Sequence, residues 1–334
     1  MPYDQKKIVE ALRAFERGEI VVVMDDDGRE NEGDLIVAAV HCTPEKMAFI
    51  VRHTSGIVCT PMLREDAKRL NLAPMVADND SAHTTAFTVS VDFKHGTTTG
   101  ISADDRTLTV RNLANGNVGG ADFVRPGHIF PLIAREGGVL MRSGHTEAAV
   151  DLCKLAGLPP VGVISELVND DGTVKRGPQV AAFAEEHGLK QVSVADLIAY
   201  RRRSEKVVER KMQTILHSSH GGEFQMFVYI NRFAYAEHIA LVKGDIRQPG
   251  PVLVRMHALN ILEDVLGDQL FARNSTLHLA MQEISNEGKG VLVLIREPSP
   301  TSLSDRILRR EKEEVKDTNE LRDYGVGAQI LSDL

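Results

Sequence analysis

Apolar and polar positions follow two periods along this chain. Ile8, Leu12 and Phe15 recur at helical spacing before Gly18, so the first 20 residues read as an amphipathic helix. Ile20-Val-Val-Val-Met24 is short, apolar and β-branched, the pattern of a buried strand, and residues 34–40 repeat it. Thr43-Pro44-Glu45 opens a helix, with Thr43 as N-cap and Pro44 in the first turn, and Gly56 closes it. A strand over 57–60 and a helix over 65–70 follow. Phe87-Thr-Val-Ser-Val-Asp-Phe93 alternates with period two, as a half-buried strand does. Residues 148–156 read as a helix ended by Gly157. Strands at 161–168 and 174–176 flank Asn169-Asp-Asp-Gly172, a hairpin turn. A helix over 193–200, capped by Ser193, runs into a charged stretch ending at Lys206.

Beyond that stretch a second unit begins near Met212. Its pattern gives strands at 224–229, 239–242 and 252–256, a helix around 277–285 and a strand at 291–295. Charge dominates residues 304–323, a surface helix or mobile segment. Both element types mix without a strict βαβ beat. This predicts an α+β fold, a mixed-sheet α/β sandwich, followed by a smaller α/β domain. The expected division is 1–203, a linker over 204–211, and 212–334.

The 334 residues suit two domains, and 43% hydrophobic with 26% charged residues suits globular cores. The net charge of -8 excludes general affinity for nucleic acid. Cys42, Cys59 and Cys153 are too few and too widely spaced for a disulfide framework or a CxxC zinc pair, which fits a reducing cytoplasm. No apolar run approaches the roughly 20 residues that span a bilayer, so no membrane partner is expected.

The densest chemistry lies in Asp25-Asp-Asp-Gly-Arg-Glu-Asn-Glu-Gly-Asp34, which holds six carboxylates. Acids this close repel unless a cation or proton sits among them. Oxygen ligands favour a hard ion, Mg2+ or Mn2+. Arg29 could grip a phosphate or carboxylate, and Gly28 and Gly33 would let the backbone bend. A solvated acidic turn is the plainer reading of the same residues.

Arg142-Ser-Gly-His-Thr-Glu147 precedes a helix, where free N–H groups, Arg142 and the hydroxyls of Ser143 and Thr146 could cradle a phosphate. His145 could be a ligand or base there; a plain N-cap with a surface His fits equally. Glu166 interrupts an apolar strand, so it is either paired, functional or on an exposed face. Arg125-Pro-Gly-His128 reads as a turn presenting an imidazole. Thr97-Thr-Thr-Gly100 and Ser102-Ala-Asp-Asp-Arg106 read as a polar loop, and Cys59 as a core thiol. A divalent ion, a phosphate grip and acid/base groups together suggest a sugar phosphate handled through an enediol.

Arg29-Glu-Asn-Glu-Gly-Asp34, Thr98-Thr-Gly-Ile-Ser-Ala-Asp-Asp-Arg106, Arg125-Pro-Gly-His128 and Arg142-Ser-Gly-His-Thr-Glu147 closely resemble the motifs of 3,4-dihydroxy-2-butanone 4-phosphate synthase. The resemblance extends to residue 203. It implies conversion of D-ribulose 5-phosphate to L-3,4-dihydroxy-2-butanone 4-phosphate and formate, with Mg2+ or Mn2+, in a homodimer. It implies metal ligation by Glu30 and His145. Substrate binding would fall to Arg29, Glu30, Asp34, Arg142, Ser143, Gly144, His145, Thr146 and Glu166. His128 and Glu166 would be the catalytic pair, supported by Asp25, Glu32, Cys59 and Thr98.

Val252-Leu-Val-Arg-Met-His257 and Leu321-Arg-Asp-Tyr-Gly-Val-Gly-Ala-Gln-Ile330 resemble GTP cyclohydrolase II. That family's zinc site uses three cysteines, and the matching positions are Asn260, Phe271 and Arg273. No cysteine follows Cys153. Amide, phenyl and guanidinium groups do not replace thiolates on zinc. The family's GTP loop reads Arg296-Glu-Pro-Ser-Pro300, and its Asp-x-Arg pair reads Glu320-Leu-Arg322. The expectation is a second domain without zinc and without GTP hydrolysis. Full bifunctionality, or a role in binding or dimer stability, stays open as an alternative.

Overall fold

The protein is described from a computed structural model over residues 5–25, 29–232, 236–268, 276–296, 301–311 and 320–334. It divides into two compact units, Met1–Arg203 and Ser204–Leu334.

The strands of the first unit are β1 (Val21–Met24), β2 (Gly33–Ala38), β3 (Cys59–Met62), β4 (Val91–Phe93), β5 (Phe123–Ile133), β6 (Gly162–Glu166) and β7 (Lys190–Ser193). They form one mixed sheet in the order β4-β5-β3-β6-β2-β1-β7. Its helices are α1 (Gln5–Glu16), α2 (Pro44–His53), α3 (Arg64–Arg69), α4 (Ala103–Leu113), α5 (His145–Leu155), α6 (Pro178–Glu186) and α7 (Val194–Ser204). Because strand side chains alternate, each strand feeds two cores. Val21, Val23, Ile36 and Ala38 pack on α1, α5 and α7, with Ile8 and Phe15 fully buried. Val22, Leu35 and Val37 pack on α2, α3, α4 and α6. The result is a three-layer α/β/α sandwich, as the alternating pattern predicts.

Several boundaries differ from the sequence expectation. Thr43 does cap α2, accepting from the Lys46 N–H. The strand expected at 57–60 is displaced to Cys59–Met62, because Ile57 is 51% exposed and stays outside it. Only 91–93 of the expected 87–93 strand joins a ladder, although Phe87 bridges Leu132. The polar loop around Ser102 is a helix start: Ser102 accepts from the Asp105 N–H and α4 follows. Arg125-Pro-Gly-His128 is no terminal turn but lies within β5. Val91 pairs with Ile129 and Asp92 with Val124, so residues 125–128 bulge out between those pairs. The helix expected from 148 begins at His145. Residues 169–172 do turn between Val168 and Val174.

The second unit holds β8 (Val208–Ser218), β9 (Gly222–Asn231), β10 (Glu237–Lys243), β11 (Leu253–Ala258) and β12 (Gly290–Ile295), ordered β11-β12-β10-β9-β8. The helix α8 (Thr276–Glu287) packs on Leu241 and Leu292. Ile330 of α10 (Glu320–Asp333) packs on the other face, against Val291, Val293 and Ile295. β8 begins at Val208, so residues 208–211 of the expected linker are strand. The charged stretch forms α9 (Ser302–Glu311) and enters α10; residues 312–319 lie outside the described residues. No described helix is long and apolar enough to cross a membrane.

Candidate functional site

The acidic loop folds back on Asp25. Its Oδ1 accepts from the Glu32 N–H at 2.9 Å and its Oδ2 from the Glu30 N–H at 3.3 Å. Arg29 donates to Asp25 Oδ2 at 2.7 Å and also pairs with Glu30. Glu32 turns outward to Arg176 at 2.9 Å. Asp26, Asp27 and Gly28 lie outside the described residues. Gly33 serves close approach rather than the bend first expected: a Cβ there would sit 2.5 Å from Val180.

The antiparallel pairing of β1 with β2 brings Asp34 beside Val23, and β2 with β6 brings Glu166 beside Asp34. α5 starts over the same place. His145 is buried, its Nε2 is 3.1 Å from the Val23 carbonyl, and its Nδ1 is 3.5 Å from Asp34 Oδ1. Asp25, Glu30 and His145 each offer a ligand atom, all within 4.8 Å of one another. Thus residues more than a hundred positions apart meet because α5 crosses the face that carries Asp34.

The electrostatics fit a cation. Burial pushes the Glu30 carboxyl up, with Arg29 opposing. Asp34 is raised strongly by burial and then by Glu166, Glu30, Asp25 and Glu32. Burial pushes His145 down to about 4, leaving its imidazole neutral and able to ligate. Asp34 Oδ1 is buried without a hydrogen-bond partner. A hard divalent ion among two carboxylates and one imidazole would relieve these costs. The donor set therefore suits a hard divalent ion such as Mg2+ or Mn2+, and Asp25, expected as a supporting residue, lies close enough to Glu30 and His145 to share one.

Arg142 is held inward. It donates to Glu147 Oε2 at 2.7 Å and to Thr85 Oγ1 at 2.8 Å. Gly144 lets Arg142 lie close, since a Cβ there would sit 2.5 Å from Arg142 Nη1 and shift the guanidinium. No side chain caps α5, so its first N–H groups, next to Ser143 and the buried Thr146, stay open to an anion. His83, which the sequence did not single out, lies 3.3 Å from Glu30. It sits in a polar loop with no periodic signal, and only the fold brings it here.

A second group forms on β4 and β5. His128 Nδ1 is 2.7 Å from Asp92 Oδ2, and the His128 N–H donates to Asp92 Oδ1 at 2.8 Å. Thr98 donates through its N–H and hydroxyl to Asp105, at 3.0 and 2.8 Å. Asp92 was also missed, though an acid in an apolar strand is the signal that marked Glu166. Cys59 pairs with Ile164 and Phe130. By alternation along β6, Glu166 shares its sheet face. Burial, then Glu166 and Asp34, push the Cys59 thiol up, so it is an unreactive wall of the site. Ser55 and Gly56 link the groups: Ser55 donates to Glu166 Oε2 at 2.9 Å, and the Gly56 carbonyl accepts from Arg106.

Comparison with known proteins identifies the family of both units. The family model of 3,4-dihydroxy-2-butanone 4-phosphate synthase matches residues 9–200, and that of GTP cyclohydrolase II matches 207–334. Riboflavin biosynthesis protein RibBA of Bacillus mycoides is 47% identical, over 98% of this chain and 85% of its own length. RibBX, a two-domain 3,4-dihydroxy-2-butanone 4-phosphate synthase from A. baumannii, is 38% identical. The match has a TM-score of 0.81 and covers 98% of this chain and 90% of that one. A 3,4-dihydroxy-2-butanone 4-phosphate synthase in complex with two magnesium ions is 48% identical, with a TM-score of 0.58 over 59% of this chain and 97% of its own. The chain belongs to the 3,4-dihydroxy-2-butanone 4-phosphate synthase family, lyases of riboflavin biosynthesis, and carries that domain ahead of one of GTP cyclohydrolase II type.

Proposed function

We propose that the first unit converts D-ribulose 5-phosphate to L-3,4-dihydroxy-2-butanone 4-phosphate and formate with residues read from this site. The observation that carries this is the meeting of Asp25, Glu30 and His145 beside the Asp34–Glu166 pair. A divalent ion held by Glu30 and His145, with Asp25, would stabilise negative charge on the substrate's oxygens. The open N-terminus of α5, with Ser143, Gly144 and Thr146, binds the phosphate, and Arg142 shapes that cradle. Arg29 and Asp34 face the sugar hydroxyls. Glu166 and the Asp92-oriented His128 take and return protons as C3 is deprotonated and water leaves C1. After the skeletal shift, one water is taken up and C4 leaves as formate, so atoms balance. The enzyme acts as a homodimer; Ile57 and Ile101, each 51% exposed beside this site, are apolar surface for a second copy. Substrate labelled at C4 tests the scheme: labelled formate is expected, and label kept in the four-carbon product contradicts it.

The second unit, on this reading, does not hydrolyse GTP. Its support is the absence of cysteine after Cys153 and the state of Asn260, whose side chain accepts from the Leu262 N–H within its own turn. Phe271, Arg273 and residues 297–300 lie outside the described residues, as do the side chains of residues 320–322. Bifunctionality is favoured by one observation, the family match over 207–334. Zinc analysis and a GTP assay on one sample separate the two. Stoichiometric zinc with GTP turnover would establish the bifunctional reading; neither is expected here.

A further inference from the structure

Arg106 is a buried cation that the reaction scheme leaves unused. It is 7% exposed. Its one hydrogen bond, Nη1 to the Gly56 carbonyl at 3.2 Å, goes to a neutral acceptor that an amide could serve as well. Its Nε is buried without a partner. No ion pair among the described residues includes it. The acid that acts on it electrostatically, Asp92, has both oxygens committed to His128. An uncompensated buried guanidinium costs several kcal/mol unless an anion completes it.

Its position suggests which anion. Gly56, which it holds, adjoins Ser55, the donor to Glu166. Asp92, the acid that acts on it, is bonded to His128, and Gly100 lies against both. Arg106 thus stands between the two groups that carry the acid/base residues. It makes no hydrogen bond to the α5 N-terminus, where the proposed phosphate cradle lies. A guanidinium whose Nε has no partner is matched by a planar carboxylate. The reaction itself makes one small carboxylate, formate.

We propose that Arg106 is a binding residue for a small carboxylate, and that its occupant is the formate released from the substrate. This rests on the synthase reading of the site. Formate then leaves from a site lined by Arg106, and added formate inhibits by refilling it.

The test is formate binding to the full chain, followed by the carbon-13 line width of labelled formate without divalent metal, alongside product inhibition by formate with Mg2+. Wild type should bind formate saturably. Arg106→Gln should weaken both binding and inhibition by about tenfold or more, as loss of a charge-assisted pair predicts. Arg106→Lys, which keeps the charge, should lose less, and serves if the Gln variant does not fold. Glu30→Ala should still bind formate, which separates this site from the metal. No saturable binding to wild type, undiminished binding by the Arg106 variants, or equal competition by inorganic phosphate would overturn the assignment. Turnover of ribulose 5-phosphate is measured on the same sample. Its absence sinks the synthase reading, whereas turnover with unaltered formate inhibition in Arg106→Gln sinks this proposal alone.

Discussion

Gly100 shows how little room the second group allows. Its φ is +88°, and a Cβ would fall 2.0 Å from Asp92 Oδ2 and 2.7 Å from His128 Nδ1. Gly100→Ala should therefore displace the His128–Asp92 pair. Formate release is expected to fall about a hundredfold, the scale of a misplacement near 1 Å. Circular dichroism should report a folded protein with a melting point lowered by a cost of about 1–3 kcal/mol; unchanged turnover would remove His128 from the mechanism. At this scale much of the site was legible. Glu30, Asp34, His145 and Glu166 stood out as titratable groups in apolar or crowded settings, and the fold gathers them. Asp92 and His83 do not stand out, and Arg106 reads only as the cation of a polar loop, because their significance lies in partners distant in sequence. Gly33 was noticed for bending, whereas its role is to admit Val180.

Elements were legible where period and capping agreed, as in α1 and α2. They were lost where polar composition imitated a loop. Ser-Ala-Asp-Asp is the capped first turn of α4, since Ser102 and Asp105 satisfy local N–H groups. Pro-Gly at 126–127 marks a bulge inside β5, where the irregular register tolerates Pro126's missing donor and turns the Gly127 N–H to the Ser90 hydroxyl. α6 was overlooked although Pro178 stands in its first turn and Gly188 follows its end. β7 was too short and polar to show alternation. In the second unit, β10 carries a buried histidine with a measurable consequence. His238 accepts from the Arg296 N–H through Nδ1, and its Nε2 has no partner. Burial, then Arg296, push it down to about 4 from 6.5. The unfolded chain therefore binds the extra proton between those values, so stability is full above pH 6.5 and declines as pH falls toward 4. This decline should reach up to ~3 kcal/mol in the unfolding of the second unit. Urea titrations of wild type and His238→Gln at several pH values check it. An equal slope in both proteins would assign the loss to other groups.

At the scale of the whole molecule, the chain's length indicates two domains, the charged stretch ending at Lys206 their boundary, and the mixing of strands and helices without a βαβ beat a mixed sheet. The sequence could not show that β8 starts at Val208, since residues 208–211 read as polar linker. The two units differ in their chemistry. The first brings two carboxylates and an imidazole together in a set that could hold a metal; the second has no thiolate to hold zinc. The account's central claim is that the first unit's acidic loop and α5 together make a metal-dependent synthase. The most direct measurement is formate released from ribulose 5-phosphate by the full chain, with Mg2+ and with chelator, for wild type and Glu30→Ala. Wild type with Mg2+ should release one formate per substrate, and chelation or Glu30→Ala should abolish release. No formate from wild type, or near wild-type turnover by Glu30→Ala, would contradict the account.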